Sequence, residues 1–164
     1  MWAKQTQRGF TIVELLIVIV VIAILAAITI VAYNGIQNRA YDTTVQSDLA
    51  AFSKKIELVK VDSTTNSYPA ALTNAMGFAF SKSAYGQDNQ QRTLRYCRNS
   101  ANDSYILMAA SKSGTYFKSI NGKVEQTPYA HGYSVCSQVG LVDTNPSQDG
   151  FTATATPQWS AWTN

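Results

Sequence analysis

The chain of 164 residues carries a formal net charge of +3, with 46% hydrophobic and 14% charged residues. This length accommodates one modest domain and an additional segment. Lys4 and Arg8 near the N-terminus supply two of the positive charges, so the rest of the chain lacks the clustered basic surface that is typical of nucleic-acid-binding proteins.

An uncharged apolar run occupies residues 15–32. As a helix it would be about 27 Å long, close to the roughly 30 Å hydrocarbon core of a bilayer. Lys4 and Arg8 precede the run, and positively charged flanks remain on the cytoplasmic side, so the C-terminal part is expected outside. Glu14 stands at the start of the run. A carboxylate in lipid is costly, which indicates a function and a positively charged partner.

Residues 9–14, with the sequence GFTIVE, resemble the cleavage and polymerisation motif of the type IV pilin superfamily. In that family a prepilin peptidase cuts after the glycine and methylates the new N-terminus. The resemblance implies that residues 1–9 are a leader, that cleavage separates Gly9 from Phe10, and that assembly pairs Glu14 with the Phe10 amine of a neighbouring subunit.

The resemblance also implies a function. The precursor would cross the membrane once, with its N-terminus cytoplasmic and its head outside. It would then polymerise with copies of itself into an extracellular pilus, assisted by an assembly platform in the membrane. Such fimbriae serve adhesion, twitching motility or DNA uptake. A pseudopilin of a type II secretion or competence system is the alternative, and an unrelated signal-anchored extracellular domain is a third possibility.

A plain secretory signal peptide would share the basic start. Its apolar core would normally be shorter, about 7–15 residues, and would end at a small-residue cleavage site. Ala23, Ala26 and Ala27 could serve as such a site, but the apolar run continues beyond them to Ala32. A signal peptide also gains nothing from Glu14, so the pilin interpretation is favoured.

The helical pattern continues beyond the apolar run. Apolar residues recur at steps of four, three, four and three, which predicts one face of an α-helix: Val45, Leu49, Phe52, Ile56 and Val59. Ser53 falls elsewhere on the helical wheel. We expect one helix from residue 10 to about residue 61, with residues 10–33 as its transmembrane and assembly half. The head, residues 34–164, would include the amphipathic half.

Asn34-Gly35 is the weakest point of the predicted helix, because glycine costs about 1 kcal/mol relative to alanine. Local melting there and an uninterrupted helix with a tolerated glycine both remain open. A turn-rich loop at residues 62–67 ends the helix.

Aromatic and β-branched residues then predict short strands at 92–98, 104–110 and 115–120. Asn121-Gly122 predicts a hairpin turn before a further strand, because both positions tolerate positive φ. Three or four antiparallel strands would lie against the amphipathic helix half. The expected fold class is therefore α+β, with a long N-terminal helix packed on a small antiparallel sheet. From residue 137 onward the composition indicates a surface tail with a few aromatic anchors, Phe151, Trp159 and Trp162.

The two cysteines, Cys97 and Cys136, fall in the part expected outside the cell. In an oxidising compartment an even pair favours a disulfide over a metal site or catalytic thiols.

Catalysis is not predicted. His131 is the single histidine, and neither a phosphate-binding loop nor a zinc spacing is present. We therefore expect no enzymatic activity and no cofactor. Residues 143–150 are rich in oxygen-bearing side chains, but Pro146 and the absence of a downstream glutamate depart from the EF-hand pattern. A turn is favoured over a calcium site there, although some type II secretion pseudopilins hold calcium in a late loop.

A small arginine cluster lies beside Tyr96, and it comprises Arg92, Arg95 and Arg98. It could contact DNA or another anionic surface, and nucleic acid binding stays open. A solvated strand face is the favoured interpretation.

Overall fold

The computed structural model describes residues 9–86, 93–99, 104–128 and 136, together with 148–149, 151–152, 158–159 and 163. Helix α1 spans Ile12–Asp62 and is followed by two short 3-10 turns, Asn74–Met76 and Lys82–Ala84. The strands are β1 (Leu94–Arg98), β2 (Tyr105–Ala110), β3 (Tyr116–Ile120), β4 (Lys123–Thr127), β5 (Gln148–Asp149), β6 (Phe151–Thr152) and β7 (Gln158–Trp159). The chain divides into two compact units, Met1–Gln37 and Asn38–Asn164.

The first part of α1 is apolar on every side. The large hydrophobic side chains from Ile12 to Val31 are each 46–84% exposed within the chain. Such a surface is unfavourable in water, so it requires lipid or other apolar helices around it. The helix passes through Asn34-Gly35 without interruption, so the uninterrupted helix is the alternative that the structure contains.

The second part of α1 buries one face against the rest of the head. The apolar positions Val45, Leu49, Phe52 and Ile56 are almost completely buried, as the spacing predicts, whereas Val59 is only half-buried. Ser53 departs from the prediction, because it is also buried. Its hydroxyl lies 2.7 Å from the buried hydroxyl of Ser119 in β3. A small polar side chain is accommodated there because the partner hydroxyl satisfies its hydrogen bond.

The head contains a five-stranded antiparallel sheet in the order β4-β3-β2-β1-β5. Its inner side chains join those of α1 in one core: Leu94, Tyr96, Tyr105, Leu107, Ala109 and Phe117. The turn between β3 and β4 has φ values of 46° at Asn121 and 89° at Gly122. Both positive values match a two-residue hairpin turn, which confirms the predicted turn and the α+β fold class.

The described residues of the C-terminal part include short strands that the predicted surface tail did not contain, while Trp159 is an anchor as predicted. Strand β5 pairs with β1, with Arg95 opposite Asp149, and β6 pairs with β7. Trp159 is half-buried, and its ring lies edge-on to Tyr85 at 5.6 Å between centroids. Short pairing segments of two residues carry too little periodicity to be recognised in a sequence rich in Ser, Thr and Ala. Trp162 lies outside the described residues.

Candidate assembly site

Gly9 and Phe10 precede helix α1 and are exposed. The Phe10 side chain is 90% exposed, and a Cβ built at Gly9 would meet no atom within 4 Å. The backbone at Gly9 does not have a positive φ. The peptide bond between these residues is therefore open to another protein, and the fold itself places no demand for glycine at this position.

Helix α1 starts with a capping box formed by Thr11 and Glu14. The Thr11 amide donates to Glu14 Oε2 at 2.8 Å, and the Glu14 amide donates to Thr11 Oγ1 at 3.2 Å. The Thr11 hydroxyl also donates to Oε2 at 2.7 Å. These reciprocal bonds satisfy backbone donors that a helix start leaves without intrahelical partners. They explain why the helix begins at Ile12, two residues after the predicted start.

Both of the contacts to the Glu14 carboxylate use the same oxygen. Among the described residues, Glu14 Oε1 accepts no hydrogen bond. The carboxylate lies in the first turn of α1, where the positive end of the helix dipole favours a negative charge. One carboxylate oxygen is thus fixed, and the other is available to a donor from outside the chain.

Thr11 is a site residue that the sequence interpretation above does not include. A local signal for it exists, because threonine followed three positions later by glutamate at the start of an apolar run is the sequence signature of a capping box. The family resemblance directs attention to Gly9, Phe10 and Glu14 and leaves Thr11 without a role.

A disulfide joins Cys97 in β1 to Cys136, with 6.0 Å between their Cα atoms. Both residues are buried, and they form a second small core cluster with Ile106 and Met108 on β2. Unlike the main core, this cluster contains no residue of α1. The covalent bond therefore ties the C-terminal part of the head to its central strands.

The arginine cluster is not a solvated strand face. Arg95 is only 3% exposed, and Arg98 is half-buried, with its Nη1 donating to the Tyr68 carbonyl at 3.3 Å. The interpretation as a solvated face is therefore wrong for Arg95. Burial also removes Arg95 from any DNA-binding surface. Arg92 lies outside the described residues, as do His131 and residues 143–147 of the candidate calcium loop.

Two aspartates of α1 hold segments of the head. Asp48 accepts hydrogen bonds from the Ser81 amide at 2.8 Å and from the Tyr85 hydroxyl at 3.2 Å. Asp42 accepts from the Ser113 hydroxyl and from the Thr115 hydroxyl, the latter at 3.3 Å. Burial and the nearby Asp48 raise the pKa of Tyr85, so its hydroxyl remains a donor. These contacts are structural, since they leave both carboxylates engaged within the head.

No group of three or more His, Cys, Asp or Glu side chains that could hold a metal ion occurs within the part of the chain that the structure describes. Among the residues that the structure describes, helix α1 is long and apolar enough to cross a membrane.

Comparison with known proteins identifies the family. The profile described as the prokaryotic N-terminal methylation motif matches residues 4–30. The type IV wide pilus major component PilA4 of Thermus thermophilus is 33% identical over 111 residues, which cover 68% of this chain and 79% of that protein. The chain belongs to the type IV pilin superfamily. This membership confirms the predicted resemblance and excludes the unrelated signal-anchored domain.

Several other relatives of this pilin-superfamily chain are secretion proteins. The type II secretion system core protein G of Escherichia coli is 27% identical over 71% of this chain and 81% of its own length. The protein of the same name from Klebsiella michiganensis is 36% identical over 36% of this chain, and the chain spans only 42% of that relative's length. No solved structure matches the chain significantly.

Proposed function

We propose that this chain is the structural subunit of a type IV pilus, made as a membrane-stored precursor and processed between Gly9 and Phe10. The observation that supports this most directly is the start of α1. The first part of this helix, which is exposed and apolar on all sides from Ile12 to Val31, carries one carboxylate, and a capping box fixes that carboxylate at the first turn.

The apolar helix half serves both states of the subunit. Before assembly, lipid surrounds the side chains from Ile12 to Val31. Within a filament, the same side chains are buried against the helices of neighbouring subunits, and the hydrophobic effect stabilises the polymer. Because the contact is head-to-tail and does not close on itself, it produces an open helical fibre from copies of one chain.

The ionic contact sets the axial register of the fibre. Cleavage exposes a positively charged amine on Phe10, and Glu14 supplies the negative charge in an otherwise apolar segment. A charge-assisted hydrogen bond in such surroundings is stronger than one in water. The Glu14 carboxylate of one subunit therefore pairs with the Phe10 amine of the next, and a mispaired neighbour leaves a buried charge without a partner.

This function requires further partners. A prepilin peptidase removes residues 1–9 and methylates Phe10, and an assembly platform in the membrane adds subunits to the fibre. The precursor keeps its N-terminus in the cytoplasm, because Lys4 and Arg8 flank the apolar run on that side. The head lies outside before assembly and at the cell surface afterwards. The subunit performs no catalysis of its own.

A pseudopilin of a secretion system is the second candidate function. The observation in its favour is the alignment with the Escherichia coli type II secretion system core protein G over 71% of this chain. The disulfide between Cys97 and Cys136 favours the pilus, since the calcium-type major pseudopilins generally lack such a bond. The PilA4 relationship, at higher identity over a similar part of the chain, also supports the pilus.

Mass spectrometry of sheared surface fibres tests the proposal. We expect the sheared fibres to contain this chain as a subunit that begins at N-methylated Phe10. Fibres that retain Met1, or a mature protein that begins after Ala27, would contradict it.

A further inference from the structure

Tyr33 stands at the outer end of the apolar run, where the exposed hydrophobic part of α1 gives way to polar residues. We propose that Tyr33 anchors the membrane-stored subunit among the lipid head groups of the outer face, and that its distance from Glu14 sets the depth of the apolar segment. The partner of this site is a lipid surface. The inference rests on the proposed function, because it concerns the subunit that the membrane holds before assembly.

The segment between Glu14 and Tyr33 contains no side chain that requires water. Thr29 is its one polar residue, and the Thr29 hydroxyl donates to the Ala26 carbonyl at 2.9 Å. A hydroxyl that is satisfied within its own helix can lie in hydrocarbon without losing a hydrogen bond. The polar groups that mark the two limits of the segment are therefore the Glu14 carboxylate and the Tyr33 hydroxyl.

The spacing of these two groups matches the thickness of a bilayer. Tyr33 lies 19 positions after Glu14 in an unbroken helix, which corresponds to about 28 Å, against a hydrocarbon core of about 30 Å. When the Tyr33 hydroxyl lies at the outer boundary of the hydrocarbon, the Glu14 carboxylate lies at the inner boundary. The bond between Gly9 and Phe10 then lies in the cytoplasmic head-group region, where a peptidase can reach it.

Tyr33 has the chemistry and the exposure that an interfacial anchor needs. Its side chain is 61% exposed, whereas four tyrosines of the head core are at most 4% exposed: Tyr68, Tyr85, Tyr96 and Tyr105. Tyrosine combines an apolar ring with a polar tip, and it is enriched at both membrane–water interfaces. Helical side chains lean toward the N-terminus of their helix, which directs the Tyr33 ring toward the apolar run.

The anchor matters most after processing. Lys4 and Arg8 hold the cytoplasmic end of the precursor, and cleavage removes both with the leader. If the mature helix slid outward, the Glu14 carboxylate would enter hydrocarbon. If it slid inward, the Tyr33 hydroxyl would lose its polar surroundings. Tyr33 and Glu14 thus oppose sliding in opposite directions and keep the charged end of the subunit at the cytoplasmic face.

Moving the tyrosine by about one helical turn in either direction tests the anchor. Tyr33→Leu is combined with Ile30→Tyr in one variant and with Ile36→Tyr in the other, so the two swaps have the same composition. Each full-length chain also carries Val13→Cys, and a charged maleimide is added to inverted membrane vesicles, whose cytoplasmic face is outward. Mass spectrometry measures labelling of the precursor and of the processed chain separately.

The two swaps should shift the thiol in opposite directions. The swap with Ile30→Tyr draws the thiol into hydrocarbon, and the swap with Ile36→Tyr moves it toward water. We expect the second swap to be labelled about fivefold faster in the processed chain, because the two tyrosine positions differ by about 9 Å along the helix, nearly a third of the hydrocarbon core. Equal labelling of the two swaps, or the opposite order, would overturn the proposal.

Further variants control for folding and for side-chain type. Tyr33→Trp should be labelled at the wild-type rate, because tryptophan is also an interfacial side chain. Non-reducing electrophoresis should show the disulfide between Cys97 and Cys136 in every variant, since the substitutions lie outside the head. Val31→Tyr and Gln37→Tyr provide a second pair of swaps if one of the first pair does not accumulate.

The same preparations distinguish this inference from the proposed function. A chain that is absent from the membrane fraction, or wild-type fibres that do not begin at Phe10, would refute the proposed function itself. If such fibres form and both swaps are labelled equally, only the anchoring role of Tyr33 is refuted.

Discussion

At the scale of single residues, Gly9 and Glu14 differ in whether contacts within their own chain constrain them. Gly9 occupies open space and does not adopt a left-handed conformation, so its own chain tolerates a side chain there. Under the proposed function, a need for glycine at this position would arise from the peptidase that cleaves the bond. Glu14 is held within its own subunit by Thr11, while one carboxylate oxygen faces no donor in the described part of the chain.

Replacement of Gly9 by a bulky residue should therefore block processing without disturbing the fold. We expect Gly9→Leu to accumulate as full-length precursor in the membrane, with its head disulfide formed as in wild type. Gly9→Ala, which adds only a methyl group, should be processed to a greater extent. An electrophoretic mobility shift together with mass spectrometry measures the processed fraction. Normal cleavage of Gly9→Leu would contradict processing at this bond.

Glu14→Ala should remain in the membrane and fail to enter fibres. Removal of a charge from an apolar segment favours lipid, whereas the intersubunit pair loses its acceptor. Fractionation should find the processed variant in the membrane pool, with little in the sheared fraction. Glu14→Gln is a matched control that keeps the shape and a hydrogen-bond acceptor, so it isolates the contribution of charge. Wild-type fibre yield from Glu14→Ala would refute the register role.

At the scale of elements, patterns local in sequence predicted most of the fold. The spacing of Val45, Leu49, Phe52 and Ile56 identifies the buried face of α1, and Asn121-Gly122 identifies the β3–β4 turn. The predicted starts of β1, β2 and β3 lie one or two residues early, whereas their predicted ends agree with the structure; the residues before each strand share its composition. The capping box of Thr11 and Glu14 also follows a local pattern.

Contacts between distant residues could not be predicted in this way. Ser53 is buried because Ser119, 66 positions away, satisfies its hydroxyl. Asp48 accepts a hydrogen bond from the amide of Ser81, which lies 33 positions away. No periodicity in the sequence predicts that contact. The burial of Arg95 depends equally on the tertiary arrangement around β1. For Ser53, the position on the helical wheel predicted exposure, and the partner hydroxyl of Ser119 overrides that expectation.

The Ser53–Ser119 contact between α1 and β3 should contribute measurably to stability. Ser53→Ala leaves the Ser119 hydroxyl buried without this partner, which costs about 1–3 kcal/mol. Ser53→Ala with Ser119→Ala removes both polar groups, so its loss should be smaller than the sum of the two single losses. Urea unfolding of a soluble form that begins at Asn38 measures the free energies. Additive losses would show that the two hydroxyls do not depend on each other.

Buried tyrosines should make the head sensitive to high pH. Burial raises the pKa of Tyr105 to about 12, from 10.0 for an unperturbed tyrosine, and burial also raises the pKa of Tyr96. The unfolded state therefore loses these protons first. The contribution of these neutral tyrosines to the free energy of unfolding is fully present below pH 10. It should decrease as the pH rises from about 10 toward 12. Urea unfolding at pH 8, 10 and 11 measures this decrease. Tyr105→Phe should reduce the slope, and a pH-independent free energy of unfolding would contradict the prediction.

At the scale of the whole molecule, the apolar helix half and the head are stabilised in different ways. The exposed apolar helix half and its capped carboxylate suit a polymer, in which neighbouring subunits cover what a single chain leaves open. The head instead completes its own stability through a core, polar contacts from Asp42 and Asp48, and a disulfide. A small domain such as the head has a small stability margin. Whether a disulfide or a bound ion contributes to that margin therefore helps to distinguish a pilin from a pseudopilin.

The last prediction concerns the disulfide and a possible calcium site. Cys97 and Cys136 are 39 positions apart, and closing a loop of that length contributes about 4 kcal/mol in chain-entropy bookkeeping. Reduction should therefore lower the melting temperature of the soluble head by roughly 10–20 °C. A form with Cys97→Ser and Cys136→Ser should melt at the reduced temperature and show no response to reductant.

Treatment of the soluble head with a chelator tests whether its melting temperature depends on calcium. If residues 143–150 form a turn, chelation should leave the melting temperature unchanged. If they bind calcium, its removal must lower the melting temperature, because the ion binds the folded state. Asp143→Asn is the matched variant, since it keeps the size of the side chain and removes one charge from the candidate loop. A response to reductant alone supports the pilus subunit. A large response to chelator that Asp143→Asn diminishes would favour the secretion pseudopilin instead.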